Sequence, residues 1–147
     1  MDIDALRAEL EIDEGRVDEI YNDHLGYATF GIGHLVLESD PEHGSPVGTP
    51  VDSDRVVSVF EEDVQKVCDD CEILFPAFYD LPEDAQRVIA NMMFNMGRTR
   101  LSKFRKFIAA VEQSDWMEAS AQMQDSRWYN QVTKRAQRLR DRVEALA

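Results

Sequence analysis

The segment DAQRVIANMMFNMG, residues 84–97, constrains the fold more than any other part of the sequence. Its apolar side chains recur at helical spacing and cover most of the circumference of the predicted helix. Asp80 followed by Glu83 resembles a capping box, with Pro82 in the first turn, and Gly97 ends the segment. A helix that is apolar on most sides has to be surrounded by other elements. The segment therefore predicts the central helix of a bundle.

Helical patterns recur on both sides of this segment. Ile3, Leu6 and Leu10 lie at helical spacing and predict a helix over residues 2–11 that Gly15 stops. A second apolar stripe predicts a long helix over residues 52–72. Further helices are expected at about residues 100–113, 115–124 and 133–146.

Residues 16–37 break the helical pattern. Short apolar and aromatic pieces are punctuated by Gly26, Gly31 and Gly33, which predicts a small antiparallel sheet with its hairpin connection at residues 22–26. An irregular loop, residues 38–50, follows. The sequence thus predicts an α+β, mainly helical fold. We expect one domain, residues 1–147, with a sheet-bearing lobe (12–52), a connecting helix (53–72) and a helical lobe (1–11 and 73–147), and a cleft where the lobes meet.

Length and charge exclude several classes of function. A chain of 147 residues with 44% apolar content can bury a core without metal or disulfides. No apolar run approaches the roughly 20 residues of a membrane span, and the N-terminus is acidic where an export signal is basic and then apolar. The net charge of −13 argues against nucleic acid as a partner, although residues 98–147 carry 11 Lys and Arg against 6 Asp and Glu.

Cys68 and Cys71 form a C-x-x-C pair. Asp69, Asp70 and Glu72 surround the pair and disfavour a thiolate, so a redox role is not expected. A zinc site would need further ligands, and the three histidines are scattered without paired spacing. We expect buried or half-buried free thiols and no metal site.

The stretch IDEGRVDEIYNDHLGYATFGIGH, residues 12–34, combines carboxylates with a glycine-rich run. Glu14 lies where the first helix ends, Asp23 in the predicted turn, and Thr29 on the returning strand. A hairpin can bring two carboxylates and a hydroxyl to one place, which is the equipment for hydrolysing a glycosidic bond. In an acidic chain such residues are solvated surface more often than catalytic, by roughly 10 to 1, so spacing alone does not decide.

Four segments, IDEG, GYATFGIGH, NMMFNMG and SRWYNQVTKRAQR, closely resemble the phage-type lysozymes of glycoside hydrolase family 24, in the same order over almost the whole chain. The resemblance implies a lysozyme-like two-lobed fold and an inverting, bacteriolytic peptidoglycan muramidase without a cofactor. It implies that Glu14 is the general acid, that Asp23 is the ionised base, and that Thr29 helps to position the attacking water. Inversion implies carboxyl groups about 6.5–9.5 Å apart.

Other roles also follow from the resemblance. Four residues fall where family members contact the saccharide: Leu35, Phe94, Phe107 and Gln122. Phe94 fits the core equally well. Arg135 is expected to reach Glu14, His34 to pair with Asp63, and Trp128 to pack near Asn95.

Two alternatives remain open at this point. The chain could be a non-catalytic module on the same scaffold that binds cell wall or serves in phage-tail assembly. It could also be a lytic transglycosylase, in which a single Glu suffices, although Asp23 and Thr29 argue against this reaction. We expect a monomer whose partner is bacterial peptidoglycan. We place it in the host cytoplasm with pore-dependent release (an endolysin) or on a virion.

Overall fold

The computed structural model describes residues 1–147, and the fold is mainly helical α+β, as the sequence predicts. Seven helices accompany one antiparallel sheet of three strands. In chain order the elements are α1 (Ile3–Glu14), β1 (Val17–Asn22), β2 (Ala28–Gly31), β3 (His34–Leu35), α2 (Ser53–Leu74), α3 (Glu83–Leu101), α4 (Arg105–Glu112), α5 (Trp116–Gln124), α6 (Arg127–Gln131) and α7 (Thr133–Glu144).

The chain divides into two compact units. The sheet-bearing unit comprises Arg7–Lys66, and the helical unit comprises Met1–Leu6 together with Val67–Ala147. Helices α1 and α2 each contribute residues to both units. No helix of this chain combines the length and the apolar character that a membrane-spanning segment requires.

The sheet of the first unit has the strand order β1-β2-β3. Side chains alternate between its two faces. One face is apolar and packs into a core cluster that consists of Ile20, Phe30, Val51, Val56 and Val59, with Ala28 and Val36 against it. On the opposite face, which we call the outer face, Tyr21 pairs with Thr29 and Thr29 pairs with Leu35 across the strands. This row of three side chains carries part of the candidate site.

Helix α3 supplies much of the core of the helical unit. Its buried residues are Ala85, Gln86, Val88, Ile89, Ala90, Asn91, Met92, Met93, Met96 and Leu101. The regular helix is interrupted at Gly97, whose φ of 80° and ψ of 163° lie outside the helical region. This confirms that the helical pattern ends at Gly97, after which a short helical turn continues to Leu101.

Two local predictions in the helical unit are wrong. The capping box fails because α3 begins at Glu83 with Pro82 at its N-cap, while Asp80 belongs to a separate 3-10 turn, Phe78–Asp80. Proline has no side-chain acceptor, and the Glu83 carboxylate instead accepts a hydrogen bond from the backbone N–H of Asp2. The helix expected over residues 100–113 is divided, because the chain turns between Leu101 and Arg105.

Both cysteines lie on α2 as buried free thiols, which confirms that prediction. Burial raises the pKa of the Cys68 thiol and that of the Cys71 thiol, and Asp69 and Asp70 nearby act in the same direction. Neutral, buried thiols of this kind behave as small apolar side chains.

Candidate active site

Glu14 is the last residue of α1, and Gly15, with a φ of +72°, turns the chain into β1. The half-buried Glu14 carboxyl group lies against Gly33, in the turn between β2 and β3. A methyl group on Gly33 would overlap Glu14 Oε2 and lie 2.9 Å from Cδ. Gly33 also has a φ of +64°, a conformation that L side chains rarely adopt. Two independent features therefore require a glycine at this position: the positive φ of the backbone and the close contact with the Glu14 carboxyl group.

Asp23 opens the hairpin loop between β1 and β2. Its backbone N–H donates to the carbonyl of Tyr27 at 2.9 Å. Its side-chain Oδ1 accepts two hydrogen bonds, from the N–H of Leu25 and from the N–H of Tyr27, each at 2.9 Å. The loop backbone thus fixes the orientation of this carboxylate and leaves Oδ2 for other partners.

Thr29 lies in β2 on the outer face and is only 5% exposed. Its hydroxyl donates to the carbonyl of Tyr27 at 2.9 Å. A hydroxyl has one hydrogen and two lone pairs, so Thr29 Oγ1 faces any further partner as an acceptor.

Tyr21 shares this region, and the sequence interpretation missed it. It is the cross-strand partner of Thr29. Burial raises the pKa of its phenol, and the charges of Glu14 and of Asp23 raise it further. The Tyr21 phenol therefore lies within electrostatic reach of both carboxylates. Tyr21 is thus paired with Thr29 across the strands and interacts electrostatically with Glu14 and with Asp23, all within the sheet-bearing unit. The signal in the sequence was the position of Tyr21 two residues before Asp23, on the strand that leads into the hairpin.

His34, on β3, lies between two carboxylates. Its Nδ1 is 2.7 Å from Asp63 Oδ2, the pair that the resemblance implied, and its Nε2 is 2.7 Å from Asp40 Oδ2. The Arg55 guanidinium joins the network: its Nη2 donates to Asp40 Oδ1 at 3.3 Å and to Glu42 Oε1 at 3.0 Å. Asp40 was not predicted, since it lies in the loop for which the sequence promised no regular structure. Because ionised carboxylates only accept hydrogen bonds, this geometry suits the doubly protonated imidazolium.

The His34 network predicts a stability that depends on pH. Burial lowers the pKa of His34, but its hydrogen bonds and charge interactions with Asp63 and Asp40 outweigh burial, and the net pKa is raised. A raised pKa in the folded state means that His34 stabilises the fold fully below about pH 6.5, its unfolded value, and that this stabilisation is lost as pH rises through the folded value. We expect Asp40→Asn to lower the His34 pKa. We also expect it to lower the free energy of unfolding at pH 6 by on the order of 1–3 kcal/mol.

The measurement is an NMR titration of His34 together with unfolding at pH 6 and pH 9. The control is Glu38→Gln, which replaces a carboxylate by an amide at an exposed position of the same loop. It is expected to leave the His34 pKa and the free energy of unfolding unchanged. A His34 that titrates at or below about pH 6.5 in the unaltered protein would contradict the proposed charge state.

The predicted saccharide contacts differ in their accessibility. Leu35 is 48% exposed on the outer face. In the helical unit, Phe94 on α3 is half-buried, and Gln122 on α5 donates to Glu118 at 2.8 Å. Phe107 is 1% exposed and packs edge-on against Phe104 with ring centroids 6.4 Å apart. A ring so deeply buried offers a saccharide almost no surface, so Phe107 is a core residue in this structure.

Two partly buried polar contacts lie in the helical unit. The Trp128 indole N–H donates to Asn95 Oδ1 at 2.7 Å, so these residues lie together as the resemblance implied. Arg135 Nε donates at 2.8 Å to Oδ1 of Asn91, which is fully buried on α3. Asn91 was not singled out from the sequence, because nothing distinguishes an amide inside an apolar helical run. The reach of Arg135 to Glu14 and the separation of Glu14 from Asp23 stay predictions.

Comparison with known proteins identifies the family. The model of the phage lysozyme family matches residues 11–145. A probable T4-type lysozyme 2 of Dictyostelium discoideum is 30% identical over 93% of this chain and 92% of its own length. The chain belongs to the phage lysozyme family. This confirms the resemblance read from the four sequence segments, and it makes the protein a lysozyme-family glycoside hydrolase.

Other relatives of this phage lysozyme family member differ in length. A probable T4-type lysozyme 1 of Dictyostelium discoideum is 27% identical over 97% of this chain and 95% of its own length. The pre-baseplate central spike protein Gp5 of Enterobacteria phage T4 is 28% identical over 88% of this chain but only 26% of its own length. The same domain thus occurs alone and within a larger phage protein.

Proposed function

We propose that this protein is a peptidoglycan muramidase that hydrolyses the β-1,4 bond between N-acetylmuramic acid and N-acetylglucosamine with inversion. One observation carries the proposal: in a chain of the phage lysozyme family, Glu14 lies against Gly33 while Asp23 and Thr29 are held by the adjoining hairpin. This arrangement supplies an acid, a base and a water-binding hydroxyl within one unit.

The proposed reaction is a single displacement. Glu14 transfers its proton to the departing glycosidic oxygen, and water attacks the anomeric carbon from the opposite face. Asp23 takes a proton from that water as the new C–O bond forms and the old one breaks. The fixed orientation of Asp23, held by two backbone N–H groups, supports this role because a base must meet its proton in one geometry.

Leu35 is the best supported of the proposed saccharide contacts. It is exposed and is the cross-strand partner of Thr29, so an apolar face of a sugar can pack on it beside the hydroxyl. The contributions of Phe94 and Gln122, the monomeric state, and release from the host cytoplasm or carriage on a virion stay predictions from the resemblance.

A digest of purified peptidoglycan tests the proposed reaction. The protein is expected to clear the suspension and to release fragments that end in a reducing N-acetylmuramic acid, identified by mass spectrometry. A lytic transglycosylase would instead release anhydro fragments, each lighter by one water. A non-catalytic module would pellet with the wall and clear nothing. Either of these two results would overturn the muramidase proposal.

A further inference from the structure

The hydrogen bonds of Thr29 and Asp23 leave neither residue able to donate a hydrogen bond to a water in the proposed site. Thr29 has committed its only hydroxyl hydrogen to the carbonyl of Tyr27. Asp23, as a carboxylate, has no hydrogen to give, and its Oδ1 is occupied by two backbone N–H groups. Toward a water, both residues therefore present acceptors.

A water molecule held only by acceptors is incompletely oriented. Asp23 and Thr29 can take its two hydrogens, which leaves two lone pairs, and only one of them is used to attack the anomeric carbon. A donor to the second lone pair would fix the water so that the first points at the sugar. Orientation of this kind accelerates the chemical step, because the reacting atoms are held in a near-attack geometry.

Tyr21 is placed to be that donor. It lies on the outer face as the cross-strand partner of Thr29, and it is half-buried within electrostatic reach of Glu14 and Asp23. Its hydroxyl makes no hydrogen bond to another residue of the chain. Because burial and the two carboxylates raise the pKa of this phenol, it keeps its hydrogen throughout the pH range of a neutral enzyme.

We propose that Tyr21 donates its phenolic hydrogen to the attacking water and completes a three-point water site with Asp23 and Thr29. This inference rests on the proposed function, because it assigns a role in the same hydrolysis. It adds a residue that contacts the reacting water to the set of Glu14, Asp23 and Thr29.

The test is Tyr21→Phe, assayed on soluble glycan strands prepared from peptidoglycan. The ring is retained and only the hydroxyl is lost. Removing one neutral hydrogen bond from the transition state is expected to lower kcat about tenfold, with KM changed by less than about twofold. The melting temperature is expected to stay close to that of the unaltered protein. Tyr79→Phe, the same change at an exposed position outside the site, is the matched control.

Each outcome has a defined meaning. An unchanged kcat in Tyr21→Phe, in a protein that clears peptidoglycan and loses activity on Glu14→Gln, would overturn the role of Tyr21 and leave the muramidase proposal standing. A rise in KM alone would make Tyr21 a saccharide contact and would also overturn its role in positioning water. Inactivity of the unaltered protein would overturn both proposals together.

Discussion

Replacing Glu14 with Gln is expected to slow the clearing of purified peptidoglycan by a factor of about 10²–10⁴. The amide preserves the size and shape of the side chain but cannot transfer a proton to the glycosidic oxygen. General acid catalysis contributes about this factor in enzymes of comparable chemistry. Initial clearing rates, measured on protein whose circular dichroism shows that it is folded, give the result.

Glu11→Gln is the matched control for this variant. Glu11 lies on the same helix, one turn before Glu14, and its side chain is exposed. The same loss of charge there is expected to leave the clearing rate within about twofold. If Glu14→Gln cleared peptidoglycan as fast as the unaltered protein, Glu14 would not be the proton donor and the proposed mechanism would fail.

The second large effect is expected from Gly33→Ala. A methyl group at this position overlaps the Glu14 carboxyl group, which must then move away. A displacement of a catalytic group by about 1 Å can lower the reaction rate on the order of 10²-fold. The φ of +64° adds backbone strain of about 1–2 kcal/mol for a residue with a Cβ. Both a slower clearing rate and a lower free energy of unfolding are therefore expected.

Gly44→Ala separates the two effects. Gly44 has a φ of +82°, but a Cβ there meets no atom within 4 Å. This variant should suffer a similar loss of stability and keep its activity. Equal activity in Gly33→Ala and Gly44→Ala would show that the contact between Gly33 and Glu14 does not position the acid.

The sheet and the main helices could be predicted because their signals are local. Gly26, Gly31 and Gly33 interrupt short apolar pieces, and the structure has its hairpin and turns at those glycines, each with a positive φ. The long apolar stripe of residues 52–72 became α2, Ser53–Leu74, because an amphipathic period is present in the sequence itself.

The remaining features depend on contacts between residues distant in sequence. The pairing of Asp40 with His34 requires a loop to fold back, and no local pattern in residues 38–50 announces it. The short helix α6, Arg127–Gln131, was not predicted because five residues give too little periodicity. Its one local signal was Ser126, whose side chain accepts from the N–H of Tyr129 at 3.1 Å.

The candidate site could be predicted in part from local sequence signals, and the rest of it depends on contacts that only the structure shows. Spacing alone brought Glu14, Asp23 and Thr29 forward as one of several readings, and the family resemblance gave them roles. The structure then added what neither supplied, namely the close fit of Glu14 on Gly33, the two backbone N–H groups on Asp23, and the unpaired hydroxyl of Tyr21. Phe107 shows the opposite case, because a motif position carried over by resemblance lies in the core.

The anomeric configuration of the first product shows whether Glu14 and Asp23 act on opposite faces of the sugar through a single displacement. Proton NMR during the digestion of soluble glycan strands distinguishes the anomers before they equilibrate. The α-anomer at the new reducing end is expected to appear first, with the β-anomer rising later by mutarotation. Initial formation of the β-anomer, or of an anhydro sugar without a reducing end, would contradict the mechanism.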